Sequence, residues 1–474
     1  MFFNSIHFLF FLPIIFVFYW CVKKRNYQNF ILLAGSYYFY SCWDFRFLFL
    51  LIFSTLLDFY SGIKIESGSN KKLWLWLSII INLGLLSIFK YYNFFIESIG
   101  IFTDGIGLHV HSNLISIILP VGISFYTFHG LSYIIDIYKN RIKAEKNFIN
   151  YSLFVSFFPL LVAGPIERAT HLLPQIKILR NFNFDKSADG LRQILWGLFK
   201  KIVIADQCAK LVDIVFDSDV QFSGSTYLIS AFYFSIQIYC DFSGYSDIAL
   251  GTARLFGIEL LNNFSFPYFS RDIAEFWRRW HISLSSWFKD YVYIPLGGSK
   301  GGIWIQIRNT FVIFLISGLW HGANWTFIVW GALNALYILP SIILKSNRNN
   351  ISIVAKGKLL PNFIDLINML FTFCLTMLGW IFFRASSIKS AINYINHLFT
   401  VTIFSKPQID IKLLFVIVPF FIIEWIGREN PHALYKLPFY SNLIFRWSFF
   451  IFLTVLIILY AHKGGDNQFI YFQF

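Results

Sequence analysis

The chain has 474 residues, of which 57% are hydrophobic and 14% charged, with 59 Phe, 25 Tyr and 15 Trp; a soluble domain carries about 25% charged residues, so an ordinary soluble protein is excluded. A net charge of +14 in so apolar a chain reads as basic loops facing the cytoplasm and not as a nucleic-acid surface. At about 20 residues per spanning helix plus a connection, there is room for about a dozen spans and no sizeable soluble domain.

The first 21 residues are apolar, but Lys23, Lys24 and Arg25 follow them and no small-residue cleavage site is visible. They predict a first span near Ile6 to Cys21 with its N-terminus outside, and not a secretory signal. Further spans are expected at Phe30 to Tyr40, Phe47 to Ile63, Leu73 to Phe89 and Asn113 to Ile137. The loops this places inside carry ten Lys and Arg (positions 23, 24, 25, 64, 71, 72, 139, 141, 143 and 146), and those outside carry Arg46 and Lys90, a bias that supports the orientation. The apolar stretch Ser152 to Ala163, interrupted by Pro159 and closed by Gly164 and Pro165, is short for a span and predicts a re-entrant segment.

Later spans are expected near Leu191 to Phe216, Tyr227 to Phe242, Ile303 to Trp320, Trp325 to Leu344, Phe363 to Phe383, Leu413 to Ile426 and Leu443 to Ala461. The expected fold is therefore all-α and polytopic, with 11 to 12 spans plus re-entrant and interfacial helices. It is read as one membrane domain over 1–474, with N-terminal spans over 1–137, a polar core near 150–345 and C-terminal spans and tail over 363–474. No internal repeat suggests a secondary transporter, and the five scattered cysteines form no CxxC pair. The outside loops are short, so a large extracellular acceptor would be presented by a separate partner.

Polarity intrudes between residues 240 and 345. In SRDIAEFWRRWHISLSSWFKD, from Ser270 to Asp290, the apolar positions recur at helical spacing opposite Arg271, Arg278, Arg279 and Lys289, which predicts an amphipathic helix in the membrane interface. His281 falls at the edge of that apolar stripe. Further on, FVIFLISGLWHGANWTFIVW sets His321 in a short polar break between apolar runs. An ionisable group at membrane depth costs about 2.5 to 3.5 kcal/mol and is a functional candidate by default; the alternative is a histidine bonded to a neighbouring carbonyl. Gly318, Gly322 and Ala323 leave room for a substrate, and Trp320 and the Asn324 amide are candidates for binding it, Asn324 as an oxyanion donor.

In YCDFSGYSD, Asp241 and Asp247 stand six residues apart. They can orient a histidine, hold a metal or make interhelical hydrogen bonds, and no HxxH or HExxH spacing accompanies them, so no metal is expected. The run GGSKGG at Gly297 to Gly302 does not match a P-loop. His129, within an expected span, is a minor candidate.

Long stretches of the chain resemble the membrane-bound O-acyltransferase family, in particular its bacterial alginate-O-acetylation branch. They are MFFNSIHFLFFLP, ILLAGSYYFYSCWDFRFLFLLIFSTLLDF, FFPLLVAGPIER, QIYCDFSGYSDIALGTARLFGIEL, FSFPYFSRDIAEFWRRWHISLSSWFKDYVYIPLGG and LWHGANWTFIVWGALNA. The resemblance implies a ring of tilted helices around a central tunnel, with the catalytic histidine of the W-H-G element at His321 and a second functional His or Asn at His281. It implies O-acetyl transfer from a cytosolic thioester, acetyl-CoA, toward an exported polysaccharide, with no bound cofactor. An SGNH or esterase-like partner outside a cytoplasmic membrane would complete the transfer.

Arg278 and Arg279, with Arg271, Lys289 and Lys300, would then suit CoA phosphates or the membrane surface. The tail GGDNQFIYFQF resembles the end of a small partner in the D-alanylation system, which makes Tyr471 a candidate acyl carrier or else an interfacial anchor. The rival functions are D-alanyl transfer to teichoic acid and non-catalytic transport of lipids or sugars.

Overall fold

The computed structural model describes residues 1–107, 114–115, 118–162, 164–437, 440–461 and 469. Among the described residues twenty α-helices follow one another and no strand occurs. The first nine are α1 (Ile6–Cys21), α2 (Arg25–Ser41), α3 (Phe45–Glu66), α4 (Lys71–Leu86), α5 (Tyr92–Gly105), α6 (Ile123–Tyr138), α7 (Phe148–Ser156), α8 (Phe158–Leu161) and α9 (Ala169–Lys177). The rest are α10 (Phe184–Leu198), α11 (Asp206–Phe216), α12 (Gly224–Leu255), α13 (Ile273–Arg279), α14 (Ile282–Phe288), α15 (Ile303–His321), α16 (Trp325–Ile343), α17 (Phe363–Arg384), α18 (Ile388–Leu398), α19 (Leu414–Gly427) and α20 (Leu443–Ala461).

Among the described residues, six helices are long and apolar enough to cross a membrane: α3, α15, α16, α17, α20 and the run Lys71–Gly105, which continues from α4 through a π-helical turn into α5. Helices α1 and α19 are apolar but shorter. The protein is an all-helical, multi-pass membrane protein, and the departures from the expected dozen spans have local causes. Of the expected span Asn113 to Ile137, whose first residue lies outside the described residues, α6 takes up Ile123 onward, and Gly122 at its start holds a left-handed backbone (φ 73°). Leu191 to Phe216 divides into α10 and α11 around a π-helical turn, Phe199–Ala205, that contains Lys200 and Lys201. Tyr227 to Phe242 lies inside the 32-residue α12.

Two compact units are formed, one by residues 1–187 with 252–261 and the other by 188–251 with 262–474. The first encloses a polar cluster within the apolar helices. Asp58 of α3 accepts from Ser78 Oγ at 2.6 Å and Asn82 Nδ2 at 2.9 Å, both on α4. A Cβ at Gly130 of α6 would stand 1.9 Å from Asp58 Oδ2, so a glycine is needed there for α6 to approach. The expected re-entrant stretch is two short helices, α7 and α8, parted at Phe157 and buried almost throughout. His129 is occupied structurally, its Nε2 accepting the Glu167 backbone N–H at 3.1 Å.

In the second unit α10 and α12 touch backbone to backbone. A Cβ on Gly197 would lie 2.5 Å from Gly244 O, and one on Gly251 would lie 2.4 Å from Gly190 O. This contact brings the π-turn lysines onto α12. Lys200 pairs with Asp247 at 2.5 Å, while Lys201 bridges Asp241 at 2.6 Å and Asp206 at 2.8 Å. Both lysines are buried. Removing one partner of such a group strands a charge in low dielectric at a cost of about 3–5 kcal/mol. Lys201→Met is therefore expected to lower the thermal midpoint of the detergent-solubilised protein strongly, and Lys201→Met with Asp241→Asn to recover part of the loss. A single variant as stable as the parent would contradict the pairing.

Candidate active site

The site forms where three chain segments of the second unit converge. The first is the end of α15 and the start of α16. Helix α15 stops at His321 because Gly322 takes an extended backbone (φ −163°, ψ 154°), and α16 starts at Trp325 with Asn324 as its cap, Oδ1 accepting from Thr326 N at 3.0 Å. The two helices pack closely through glycine. A Cβ on Gly318 would stand 2.2 Å from Phe327 O, and one on Gly331 would stand 2.3 Å from Phe314 O; small residues at such positions let backbones meet where lipid offers no hydrophobic driving force. His321 is 3% exposed. Its ring is edge-on to Trp330 at 5.1 Å and to Phe383 of α17 at 5.3 Å, with Trp320 at 4.9 Å.

The second segment is the stretch Ser270 to Asp290, which is not one amphipathic helix on the membrane surface. It breaks at Trp280 and His281 into α13 and α14, because His281 adopts a left-handed backbone (φ 43°, ψ 55°). Its apolar positions, among them Phe276, Trp280, Leu284 and Trp287, are buried in protein. The break turns the His281 ring inward. It is 1% exposed, edge-on to Phe242 of α12 at 4.6 Å, 5.8 Å from the Trp320 ring and 6.3 Å from the His321 ring. Neither ring nitrogen has a hydrogen-bond partner among the described residues. Burial pushes its pKa down to about 3, so the imidazole is neutral at physiological pH, able to donate from one nitrogen and accept at the other.

The third segment is the tail. Phe469 is fully buried, its ring 4.5 Å from Tyr245 and 5.9 Å from Phe242. Tyr471 lies outside the described residues.

The other predicted residues are placed as follows. Trp320 packs beside both histidines, its ring 5.8 Å from that of His281 and 4.9 Å from that of His321. Asn324 spends its oxygen on the α16 cap and donates from Nδ2 to Ser386 O at 3.1 Å, which leaves one amide hydrogen for any substrate. Asp241 is engaged with Lys201, and Asp247 accepts from Gln193 as well as Lys200. No group of three or more His, Cys, Asp or Glu side chains among the described residues is arranged to hold a metal.

The arginines are occupied too. Arg278 donates to Asn347 O at 2.7 Å and Asn350 O at 2.8 Å, while Arg271 and Arg279 flank the buried Glu275. They brace the 347–352 loop; Arg278, Lys289 and Lys300 are exposed, while Arg271 is half-buried and Arg279 buried. Phe242, Trp330 and Phe383 were not anticipated. Each is one aromatic in a chain full of them, and only long-range packing brings them to the histidines.

Gly322 sits where a Cβ would meet the Phe327 ring at 2.1 Å, and Phe327 packs on Phe383, at 4.8 Å. Gly322→Ala suits the extended backbone but overpacks this corner, at about 1–3 kcal/mol. It is expected to leave protein in the membrane while sharply cutting the acyl transfer that the resemblance implies. Unaltered transfer per unit of membrane protein would show that the corner has slack.

A family profile described as MBOAT, membrane-bound O-acyltransferase family, matches residues 141–388, a range that contains both histidines. A probable alginate O-acetylase, AlgI, of Pseudomonas aeruginosa is 39% identical over 394 residues, 82% of this chain and 73% of its own. A peptidoglycan O-acetyltransferase of Helicobacter pylori is 37% identical over 425 residues, 82% and 78% of the two chains. A teichoic acid D-alanyltransferase of Bacillus subtilis is 29% identical over 241 residues, 48% and 59%. With the profile covering more than half of the sequence and relatives of this identity aligned over four-fifths of it, the chain belongs to the membrane-bound O-acyltransferase family.

Proposed function

We propose that this O-acyltransferase moves acetyl groups from a cytosolic thioester, acetyl-CoA, through the cytoplasmic membrane for O-acetylation of an exported polysaccharide. The observation that carries the mechanistic part is the pair of buried rings, His281 and His321, 6.3 Å apart inside aromatic walls. One reacting group can contact both at that separation. The acetylase and acetyltransferase relatives, aligned over most of the chain, favour a glycan acceptor over D-alanyl transfer to teichoic acid, whose relative aligns over less than half of it.

His321 takes the proton of the acceptor hydroxyl as its oxygen attacks the thioester carbonyl. His281, neutral, donates a hydrogen bond to the oxyanion that forms. The C–S bond then breaks, and the departing thiolate recovers the proton from the His321 imidazolium. The aromatic walls exclude water, which would otherwise hydrolyse the thioester.

Tyr471 is the proposed first acceptor, an acyl carrier from which an SGNH or esterase-like partner outside the membrane passes the acetyl group to the glycan. Support comes from Phe469, two residues earlier, which is buried against Tyr245 and the same Phe242 that packs on His281.

Loss of a general base costs about 10²- to 10⁴-fold. His321→Ala is therefore expected to reduce acetyl ester on the surface glycan, read as acetate released by mild alkali, by at least about a hundredfold. Retention of the ester would leave transport without chemistry as the better account. His281→Asn keeps a neutral donor and should retain more activity than His281→Ala, whereas equal loss in both would argue against a hydrogen-bonding role. Tyr471→Phe keeps the ring and removes the hydroxyl; acetylation in cells should fall to the background of His321→Ala, and normal acetylation would exclude the carrier.

A further inference from the structure

His281 has to be aimed at His321 without a hydrogen bond to either of its ring nitrogens among the described residues, and from a backbone conformation that a residue with a Cβ seldom adopts. Such a conformation persists only where the surroundings over-determine it. The surroundings here centre on Asn263, which is 1% exposed. The Ile282 N–H, immediately after the histidine, donates to the Asn263 backbone carbonyl at 2.9 Å. Ser283 Oγ donates to Asn263 Oδ1 at 2.5 Å, and Asn263 Nδ2 donates to Ser246 Oγ of α12 at 3.0 Å.

Ser246 lies one turn after Phe242 on the same face of α12, and Phe242 is the ring that meets His281 edge-on at 4.6 Å. One helix face therefore holds both the side chain, through Phe242, and the backbone, through Asn263. We propose that Asn263 is the positioning residue of the site. It locks the first turn of α14 to α12, and that lock fixes the His281 ring toward His321; Asn263 itself touches no substrate. The inference rests on the reading of His281 as a functional group.

The test has two arms. In the full-length protein in membranes, carbethoxylation of His281 by diethyl pyrocarbonate, followed by mass spectrometry, reports how firmly the ring is held, with the exposed His7 as internal reference. Asn263→Ala keeps the carbonyl bond to Ile282 but loses both side-chain bonds. It should speed labelling of His281 several-fold and leave His7 unchanged.

In the second arm, labelled acetate incorporated into the surface glycan is measured per unit of membrane protein. A misplacement of about 1 Å costs about a hundredfold, so Asn263→Ala should lose about ten- to a hundredfold in the parent and little more in a His281→Ala background. Asn263→Asp, which still accepts from Ser283 and Ser246, should recover most of the activity. Ser283→Ala and Ser246→Ala, each removing one bond, should give smaller losses and keep the test open if Asn263→Ala fails to accumulate.

Unchanged labelling of His281, or an equal loss in both backgrounds, overturns the proposal. Faster labelling together with full activity of His281→Ala keeps the positioning and overturns the role given to His281.

Discussion

The distance between two helix backbones governs this site. Where α15 and α16 cross, Gly318 and Gly331 each face a carbonyl oxygen at a separation that admits no side chain, and the turn joining the helices is only three residues long. A bilayer supplies no hydrophobic force to push helices together, so close van der Waals contact has to do so. With the glycines in place, His321 is carried to the end of one helix and Trp330 to the facing side of the other. Any widening would move the histidine away from Phe383 and from its counterpart His281.

A second constraint keeps the polar groups of the interior compatible with an apolar setting. The ionic groups of α12, α11 and the π-turn are matched to one another, Lys200 to Asp247 and Lys201 to both Asp241 and Asp206. Glu424 of α19 accepts from Trp196 and Tyr239 instead of standing alone. Buried pairs of this kind add little net stability, but losing one member is expensive, so they act as registration pins between helices. The histidines have a different setting: the ring of His281 lies against Phe242 and Trp320, and that of His321 against Trp320, Trp330 and Phe383.

Much of this was legible in the amino-acid order. Composition and the Lys and Arg bias gave a multi-pass helical protein, and the polar break SGLWHGAN marked His321 as an ionisable group at depth. The carboxylates of YCDFSGYSD stood out as well, but their partners did not. Lys200 and Lys201 fall in a stretch that hydropathy reads as a span, and only the π-turn shows that they project in different directions, as do two carboxylates six residues apart on a helix. The break at His281 was hidden for another reason: helical periodicity continues undisturbed through SRDIAEFWRRWHISLSS, and nothing in it signals a left-handed residue. The bracing role of Arg278 was hidden because its acceptors are backbone carbonyls some 70 residues away, and a carbonyl leaves no trace in a sequence.

Two histidines at close range inside a membrane protein are also the raw material of a proton wire. A wire needs an unbroken chain of hydrogen-bonding groups or waters, each handing its proton to the next. Around His281 the neighbours are the Phe242 and Trp320 rings, and neither nitrogen of this imidazole meets a polar side chain among the described residues. In the proposed reaction the rings on this side would therefore do two things at once: keep water from the thioester and interrupt a relay through which protons could cross.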